Sequence, residues 1–209
     1  MARRWFHGMV LLSVGIVLPA TAPAERIDRV VAAVNNEVIT LSDLRQAVRF
    51  NEEMGGASRD RKNIEAETLE GLINKRLLLH EARRLSLAEV TEQDVNAEVG
   101  KVRSRLGSDK AFRDFLQRMD MTPEQLGRML GERLLVERFV EKKVGLFVRV
   151  GRDEARKYFD DHPEEFKGKR FAEVSKAIVA LLSEEKTGQQ ITRYLAELRS
   201  KADIRINPI

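Results

Sequence analysis

The sequence predicts a mainly α-helical protein with a small antiparallel β element built from its two ends. Apolar residues recur at three- and four-residue steps over most of residues 41–199, which is the period of amphipathic helices. Helix-start signals precede several of these segments. Short β-branched runs stand before the first helical segment and after the last one. We therefore expect a multi-helix domain whose sheet joins an N-terminal hairpin to a C-terminal strand.

Residues 27–40 are typical of a β-hairpin. Residues 27–34 are rich in β-branched side chains, and residues 37–40 form the expected return strand. Asn35 and Asn36 stand between them, and asparagine tolerates the left-handed conformation that tight hairpin turns require.

Capping signals fix the starts of the helices. Thr40 or Ser42 can cap the first helix. Thr40 and Thr91 each precede an acidic residue by three positions, as in a capping box. Thr122 is followed by proline at the first helical position and glutamine at the third, which is the strongest start signal in the chain. The predicted helices span, in order, residues 41–53, 64–85, 92–106, a short stretch after Ser108, and residues 123–147, 152–159 and 171–199.

The last residues predict a strand that needs a partner. Ile204 and Ile206 alternate with Asp203 and Arg205, as in a half-buried edge strand. Its backbone groups must be paired, and the N-terminal hairpin is the obvious partner. We therefore expect the chain ends to meet, with the long C-terminal helix packed on the N-terminal helices.

Residues 1–24 are typical of a cleaved secretory signal peptide. Arg3 and Arg4 precede ten apolar or small residues at 9–18, and Ala22-Pro23-Ala24 matches the small-x-small cleavage pattern. A membrane-spanning helix needs roughly 20 apolar residues, so ten favour export over a stable span. Removing the two arginines lowers the net charge from +4 to about +2. With both charge signs mixed along the chain, the sequence does not indicate a nucleic-acid partner.

The sequence offers no recognisable enzyme site. It has no cysteine, which excludes disulfides, thiol catalysis and cysteine-ligated zinc. His80-Glu81 begins a zinc-protease pattern, but the second ligand position holds Arg84. Asp160, Asp161 and His162 are better interpreted as a polar helix end than as metal ligands. We expect no catalytic residue, no cofactor and no metal.

One apolar cluster is a candidate binding surface. Its six members fall around the predicted helix–turn–helix junction near residue 120: Phe112, Phe115, Met119, Met121, Met129 and Leu130. Methionine adapts its shape and is over-used on surfaces that accept varied partners. Some of the six are therefore candidates to line a groove for unfolded chains. The alternative is that they are ordinary core residues.

Four blocks of the sequence resemble the SurA-type periplasmic chaperones: residues 30–44, 72–82, 90–95 and 194–206. They look like the family's opening hairpin and first helix, its second-helix motif, the segment that follows, and its C-terminal helix and strand. The resemblance implies a periplasmic chaperone for unfolded outer-membrane proteins. It also implies that the terminal helix and strand complete the N-terminal domain.

The sequence departs from the family at one place. Relatives carry one or two parvulin-type prolyl isomerase domains between the equivalents of Phe166 and Phe171, where only four residues stand here. Since a domain needs at least about 50 residues, none fits. The expected organisation is a signal at 1–24, a SurA-like helical region at 25–150, and C-terminal helices and strand at 151–209 that complete the same domain.

The combined interpretation is an ATP-independent periplasmic holdase, not an enzyme, that binds segments of unfolded outer-membrane proteins or other envelope polypeptides. Two alternatives are a dedicated assembly factor for a single envelope protein and, disfavoured, a prolyl isomerase. A homodimer, in which the C-terminal segment completes a neighbour's fold, is left open.

Overall fold

The computed structural model describes residues 28–54, 61–145 and 148–208. These residues form a mainly helical fold with one small antiparallel sheet, which confirms the predicted fold class. The predicted signal at 1–24 lies outside the described residues. The elements, in chain order, are β1 (Val30–Val34), β2 (Glu37–Thr40), α1 (Leu41–Glu53), α2 (Arg61–Leu85), α3 (Glu92–Leu106), α4 (Asp109–Arg118), α5 (Pro123–Val144), α6 (Arg152–Asp161), α7 (Phe171–Lys201) and β3 (Ile204–Ile206).

The sheet joins the two ends of the described chain. Its strand order is β2-β1-β3, and β1 pairs antiparallel with both neighbours. Asn35 adopts a left-handed φ of 53° in the hairpin turn. Its backbone N–H donates to Asp203 O at 2.7 Å, and its side-chain oxygen accepts from Asp203 N at 3.0 Å. The predicted pairing of the C-terminal strand with the hairpin is confirmed.

Side-chain caps start four helices as the sequence indicates. Thr40, Thr91 and Thr122 each accept a hydrogen bond from the backbone N–H three residues later, and the residue there reaches back to complete a capping box. Ser108 accepts from Ala111 N. Each such cap contributes about 1 kcal/mol to helix stability. The starts are therefore fixed locally, as the sequence patterns predict.

Helix α2 is the centre of the fold. It packs against α1, α5, α7 and β1, which is why its apolar residues cover more than one side. Ile73 and Leu79 on this helix are fully buried. His80 on this helix is exposed. The C-terminal half of α7 lies on α2 and α5 through Tyr194, Leu195 and Leu198, as predicted.

Two glycines let α5 approach α3 closely. A methyl group on Gly131 would meet Val95 Cγ2 at 3.1 Å, and one on Gly127 would meet Val95 Cγ1 at 3.4 Å. The helices α3, α4 and α5 also share one buried cluster, which includes Val102, Phe115 and Leu126.

The first half of α7 packs on α6 around a second, smaller core. Ala155, Ile178 and Leu182 are buried there, and aromatic side chains such as Phe159 pack around them. Leu181 does not join this core, because it is 46% exposed. Leu182 occupies the buried position instead, since it lies four residues after Ile178 on the same helix face.

Candidate functional site

An open cleft of about 1080 Å³ lies between α1, α2 and α5. Helix α1 forms one wall with residues such as Ala47 and Phe50, and α5 forms the other with Met129 and Val136. Helix α2 forms the floor. The cleft is therefore built from helices far apart in sequence that meet on the central helix.

The cleft presents apolar side chains that are only partly covered. Six large ones are half-buried: Phe50, Met54, Ile64, Leu72, Met129 and Val136. Each packs its inner side on one of the buried clusters and leaves the remainder facing the cleft. Apolar side chains that line an open cleft in this way can receive apolar groups of a binding partner.

Polar side chains stand among these apolar groups. Gln46, Asn51, Thr68 and Gln125 line the cleft with neutral donors and acceptors. Such groups can pair with the backbone N–H and C=O of an extended peptide, which must otherwise be left without partners when it is desolvated. The lining can therefore accept main chain and apolar side chains together.

The charges around the cleft balance. Four acidic and four basic residues line it: Asp43, Glu52, Glu67, Glu132, Lys75, Arg76, Arg128 and Arg133. Lys75 Nζ lies 2.9 Å from Glu132 Oε2, and Arg76 Nη1 lies 3.1 Å from Glu37 Oε2. With a lining close to neutral, selection of an occupant by net charge is weak.

Contacts between α1 and α4 hold the first wall in place. Phe50 meets Phe115 edge-to-face at 6.2 Å between ring centroids. Arg118 donates to both carboxylate oxygens of Glu53 at 3.0 and 3.1 Å. Gln46 Nε2 reaches Met119 O at 3.4 Å. These contacts fix α1 at the edge of the cleft, which Gln46 and Phe50 also line.

The structure brings all six candidate residues into one cluster, in which Met129 is half-buried and the other five are buried. Met121, Met129 and Leu130 line the cleft. Phe112, Phe115 and Met119 are 3%, 0% and 1% exposed, and none of these three lines it. In this structure those three form the core beneath the wall, as the ordinary-core alternative requires. Client binding by the six stays a prediction, which we carry forward for the three that reach the cleft.

The sequence did not identify most of the cleft: of its six half-buried apolar residues, only Met129 was a candidate. Phe50, Ile64 and Leu72 belong to α1 and α2, where each repeats at the same helical step as the core residues around it. Periodicity marks the apolar face of a helix, but it does not show which part of that face a neighbour leaves uncovered. The wide apolar arc of α2 was the only available signal.

The polar residues that the sequence analysis weighed as metal ligands make hydrogen bonds within the fold. Arg84, in place of a second zinc ligand, donates to both carboxylate oxygens of Glu81 at 2.7 and 2.6 Å. His162 ends α6, with Nδ1 2.8 Å from Tyr158 O. Across residues 28–54, 61–145 and 148–208, no group of three or more acidic or histidine side chains is placed to hold a metal. Within these ranges no helix has the length and apolar character to cross a membrane.

The fold and the cleft define a class: a helical domain closed by its own C-terminal helix and strand, with an apolar cleft open on one side. The family model of the SurA-like N-terminal domain matches residues 5–140. The chain belongs to this family, as the resemblance in its sequence implies.

Several chaperones are similar to the chain. Chaperone SurA of Pseudomonas putida is 28% identical over 156 residues, covering 72% of this chain and 35% of the relative. Chaperone SurA of Bordetella pertussis is 27% identical over 150 residues, covering 68% and 29%. The foldase protein PrsA of Caldanaerobacter subterraneus is 26% identical over 206 residues, covering 91% and 59%. The chain thus spans about a third of the length of the SurA relatives.

A solved structure shares the fold. It comes from work on PEB4 and Cj1289, two SurA-like chaperones of Campylobacter jejuni. The superposition has a TM-score of 0.58 at 14% identity and covers 87% of this chain and 100% of that one.

Proposed function

We propose that this protein is an ATP-independent periplasmic chaperone that holds unfolded outer-membrane polypeptides in the cleft between α1, α2 and α5. The observation that carries the proposal is the row of half-buried apolar side chains on three helices facing one open cleft. Membership of the SurA-like N-terminal domain family supports the chaperone role. The signal pattern at residues 1–24 supports the periplasmic location.

The mechanism follows from the lining. An extended client places apolar side chains on Phe50, Leu72 and Met129 and pairs its backbone with groups such as Asn51 and Thr68. Full burial of a large apolar side chain contributes about 1.5–3 kcal/mol, and half-buried partners contribute less. The resulting affinity is modest, so a client can leave without energy from ATP. Flexible methionines let the cleft accept different sequences.

An aggregation assay tests the proposal. An unfolded outer-membrane β-barrel protein is diluted from urea with and without residues 25–209, and light scattering is recorded. We expect suppression at several-fold excess of the chaperone. No suppression contradicts the role as a holdase. Tight binding of one envelope protein without general protection would instead identify a dedicated assembly factor.

Paired variants test the cleft itself. Met54→Gln with Met129→Gln places two polar groups in the cleft. Leu87→Gln with Leu181→Gln makes the same kind of change at side chains that are 43% and 46% exposed outside it. We expect the first pair to weaken client binding by about tenfold, which corresponds to about 1.4 kcal/mol, and the second to leave it unchanged. Equal effects of the two pairs would contradict binding in the cleft.

A peptide assay tests the catalytic alternative. Residues 162–170 connect α6 to α7. The family resemblance implies that a prolyl isomerase domain stands at this place in SurA-type relatives. We expect cis–trans exchange of a proline peptide to keep its uncatalysed time constant of about 10–100 s in the presence of the protein. A faster rate that scales with protein concentration would establish an enzyme.

A further inference from the structure

Helix α7 packs on its neighbours with two nearly opposite faces. In its C-terminal half, Leu195 and Leu198 belong to the cluster shared with α2 and α5. In its first half, Ile178 and Leu182 belong to the smaller core shared with α6. Because each residue turns the helix by about 100°, Ile178 and Leu198 point about 160° apart. Helix α6 therefore lies on the opposite side of α7 from the N-terminal helices.

The face that packs on α2 and α5 continues into the first half of α7, where it is exposed. Ala177 and Ala180 stand about five helical turns before Leu195 and Leu198, so they lie on the same face. Both alanines are exposed, and Leu181 beside them is 46% exposed. The core shared with α6 lies on the other side of the helix. Ala177, Ala180 and Leu181 therefore form an uncovered apolar surface, the open α7 face.

One unpaired charge stands at each end of the open α7 face. Lys176 lies about one turn before Ala180, and Glu184 lies about one turn after it. Both side chains are exposed, and neither has an ion-pair or hydrogen-bond partner among the described residues. On the α6 side of the same helix, by contrast, Lys186 Nζ lies 2.7 Å from Glu154 Oε2. The open α7 face therefore carries a positive charge at one end and a negative charge at the other.

We propose that the open α7 face binds its own copy, so that the protein forms a weak two-fold dimer through two antiparallel α7 helices. With Ala180 on the two-fold axis, Lys176 of each protomer faces the partner's Glu184. A parallel arrangement would instead bring like charges together. The surface is thus complementary to itself in one orientation, which favours a second copy as its occupant.

The size of the open α7 face sets the strength of this dimer. Packed helices lie about 8–10 Å apart, depending on the side chains at the contact, and the alanines allow the closer end of this range. Burial of Leu181 against the partner helix supplies apolar contact. A single helix pair buries less than the standard interface of about 1600 Å², so the dimer is weak and reversible. It needs no exchange of segments, because β3 stays paired with β1 of its own chain.

Charge exchange tests the interface. The association of residues 25–209 is measured by sedimentation at low ionic strength, from low micromolar to near-millimolar concentration. We expect the parent to show a monomer–dimer equilibrium. Lys176→Glu or Glu184→Lys alone should raise the dissociation constant about tenfold, because each reversal replaces two attractions by two repulsions. The double variant Lys176→Glu with Glu184→Lys restores complementarity and should restore the parent constant.

A charge reversal elsewhere provides the matched control. Arg113 on α4 is exposed and lies outside the open α7 face, so we expect Arg113→Glu to leave the dissociation constant unchanged. A parent that stays monomeric over the whole range would overturn the proposal. So would a double variant that associates no better than the single ones. A dimer that neither reversal weakens would have a different interface and would equally overturn it.

Disulfide formation tests the register of the two helices. The chain has no cysteine, so Ala180→Cys introduces a single thiol. On the two-fold axis this thiol meets its own copy, and we expect mild oxidation to give more covalent dimer than Gln117→Cys, an exposed position on α4. Equal yields from the two variants would overturn the arrangement. The inference does not rest on client binding, and the client assays use concentrations at which the monomer prevails.

Discussion

Tyr194 Oη donates a hydrogen bond to Glu81 Oε1 over 3.2 Å and joins α7 to α2. Glu81 is 9% exposed and also accepts two hydrogen bonds from Arg84. The ring of Tyr194 lies 6.3 Å from that of Phe139 on α5. These contacts fix the C-terminal end of α7 on α2 and α5. Because β3 follows α7 directly, this places β3 beside β1.

Titration of Tyr194 tests this contact. Burial, followed by the neighbouring Glu81 carboxylate, raises the pKa of Tyr194 to about 12. The chain has two tyrosines, so Tyr158→Phe leaves Tyr194 as the only one. We expect tyrosinate absorbance in this variant to rise with a midpoint of about 12 in the folded protein and near 10 in denaturant. A midpoint near 10 in the folded protein would place Tyr194 in solvent.

Tyr194 should also make the free energy of unfolding fall at alkaline pH. The pKa of Tyr194 is raised on folding, so its contribution is complete below pH 10 and is lost as the pH rises from about 10 through about 12. Tyr194→Phe removes this loss. The two unfolding free energies, measured against pH, should therefore converge at high pH, and parallel curves would argue against the contact.

The stability of the protein at acidic pH tests the role of Glu81 in the same contact. Its hydrogen bonds from Arg84, and then from Tyr194, hold the pKa of Glu81 below the ordinary value. A depressed folded pKa contributes stability above the unfolded pKa, and this is lost as the pH falls from the ordinary glutamate value through the folded one. We expect Glu81→Gln to be less stable than the parent at neutral pH and to lose less stability on acidification. Denaturant titrations at neutral and acidic pH measure the difference.

Two glycines in helices predict different responses to alanine. Gly71 lines the cleft, and a methyl group there meets nothing within 4 Å. We expect Gly71→Ala to raise the free energy of unfolding by about 0.5–1 kcal/mol, because alanine is the better helix former. Gly131→Ala should gain less, since its methyl group lies 3.1 Å from Val95 Cγ2. Equal gains would show that Val95 moves away freely.

The C-terminal strand should stabilise the whole fold. Deleting residues 203–209 removes the backbone pairing with β1 and the packing of Ile204 on the buried cluster that includes Val31 and Leu44. We expect the free energy of unfolding to fall by about 2 kcal/mol or more. Ile206→Ser is the control, because Ile206 is 52% exposed and its side chain contributes little. Unchanged stability after the deletion would mean that β3 is not part of the cooperative unit.

Local signals made most of the fold predictable. The caps at Thr40, Thr91 and Thr122 depend on residues three positions apart, so the sequence places these helix starts correctly. The turn at Asn35 is equally local. Even the long-range pairing of β3 follows from the need of a terminal strand for a partner. Helix ends were less exact, as α7 continues to Lys201, two residues beyond its predicted end.

The cleft was only partly predictable, because it depends on spaces between helices. Met129 and Phe115 look alike in the sequence as apolar residues at helical spacing, yet one lines the cleft and the other is fully buried. Phe115 on α4 is enclosed by the cluster that α4 shares with α3 and α5 and meets Phe50 of α1 edge-to-face, whereas Met129 on α5 lines the cleft. No pattern within α5 itself carries that information.

Site-specific photo-crosslinking tests the central claim most directly. The absence of cysteine allows one labelling site at a time. Thr68→Cys places a photoreactive probe on the floor of the cleft, and Thr192→Cys places the same probe on an exposed position of α7 outside it. With an unfolded outer-membrane protein as client, we predict crosslinks from position 68 and none above background from position 192. Crosslinks from position 192 alone, or equally from both, would contradict client binding in the cleft.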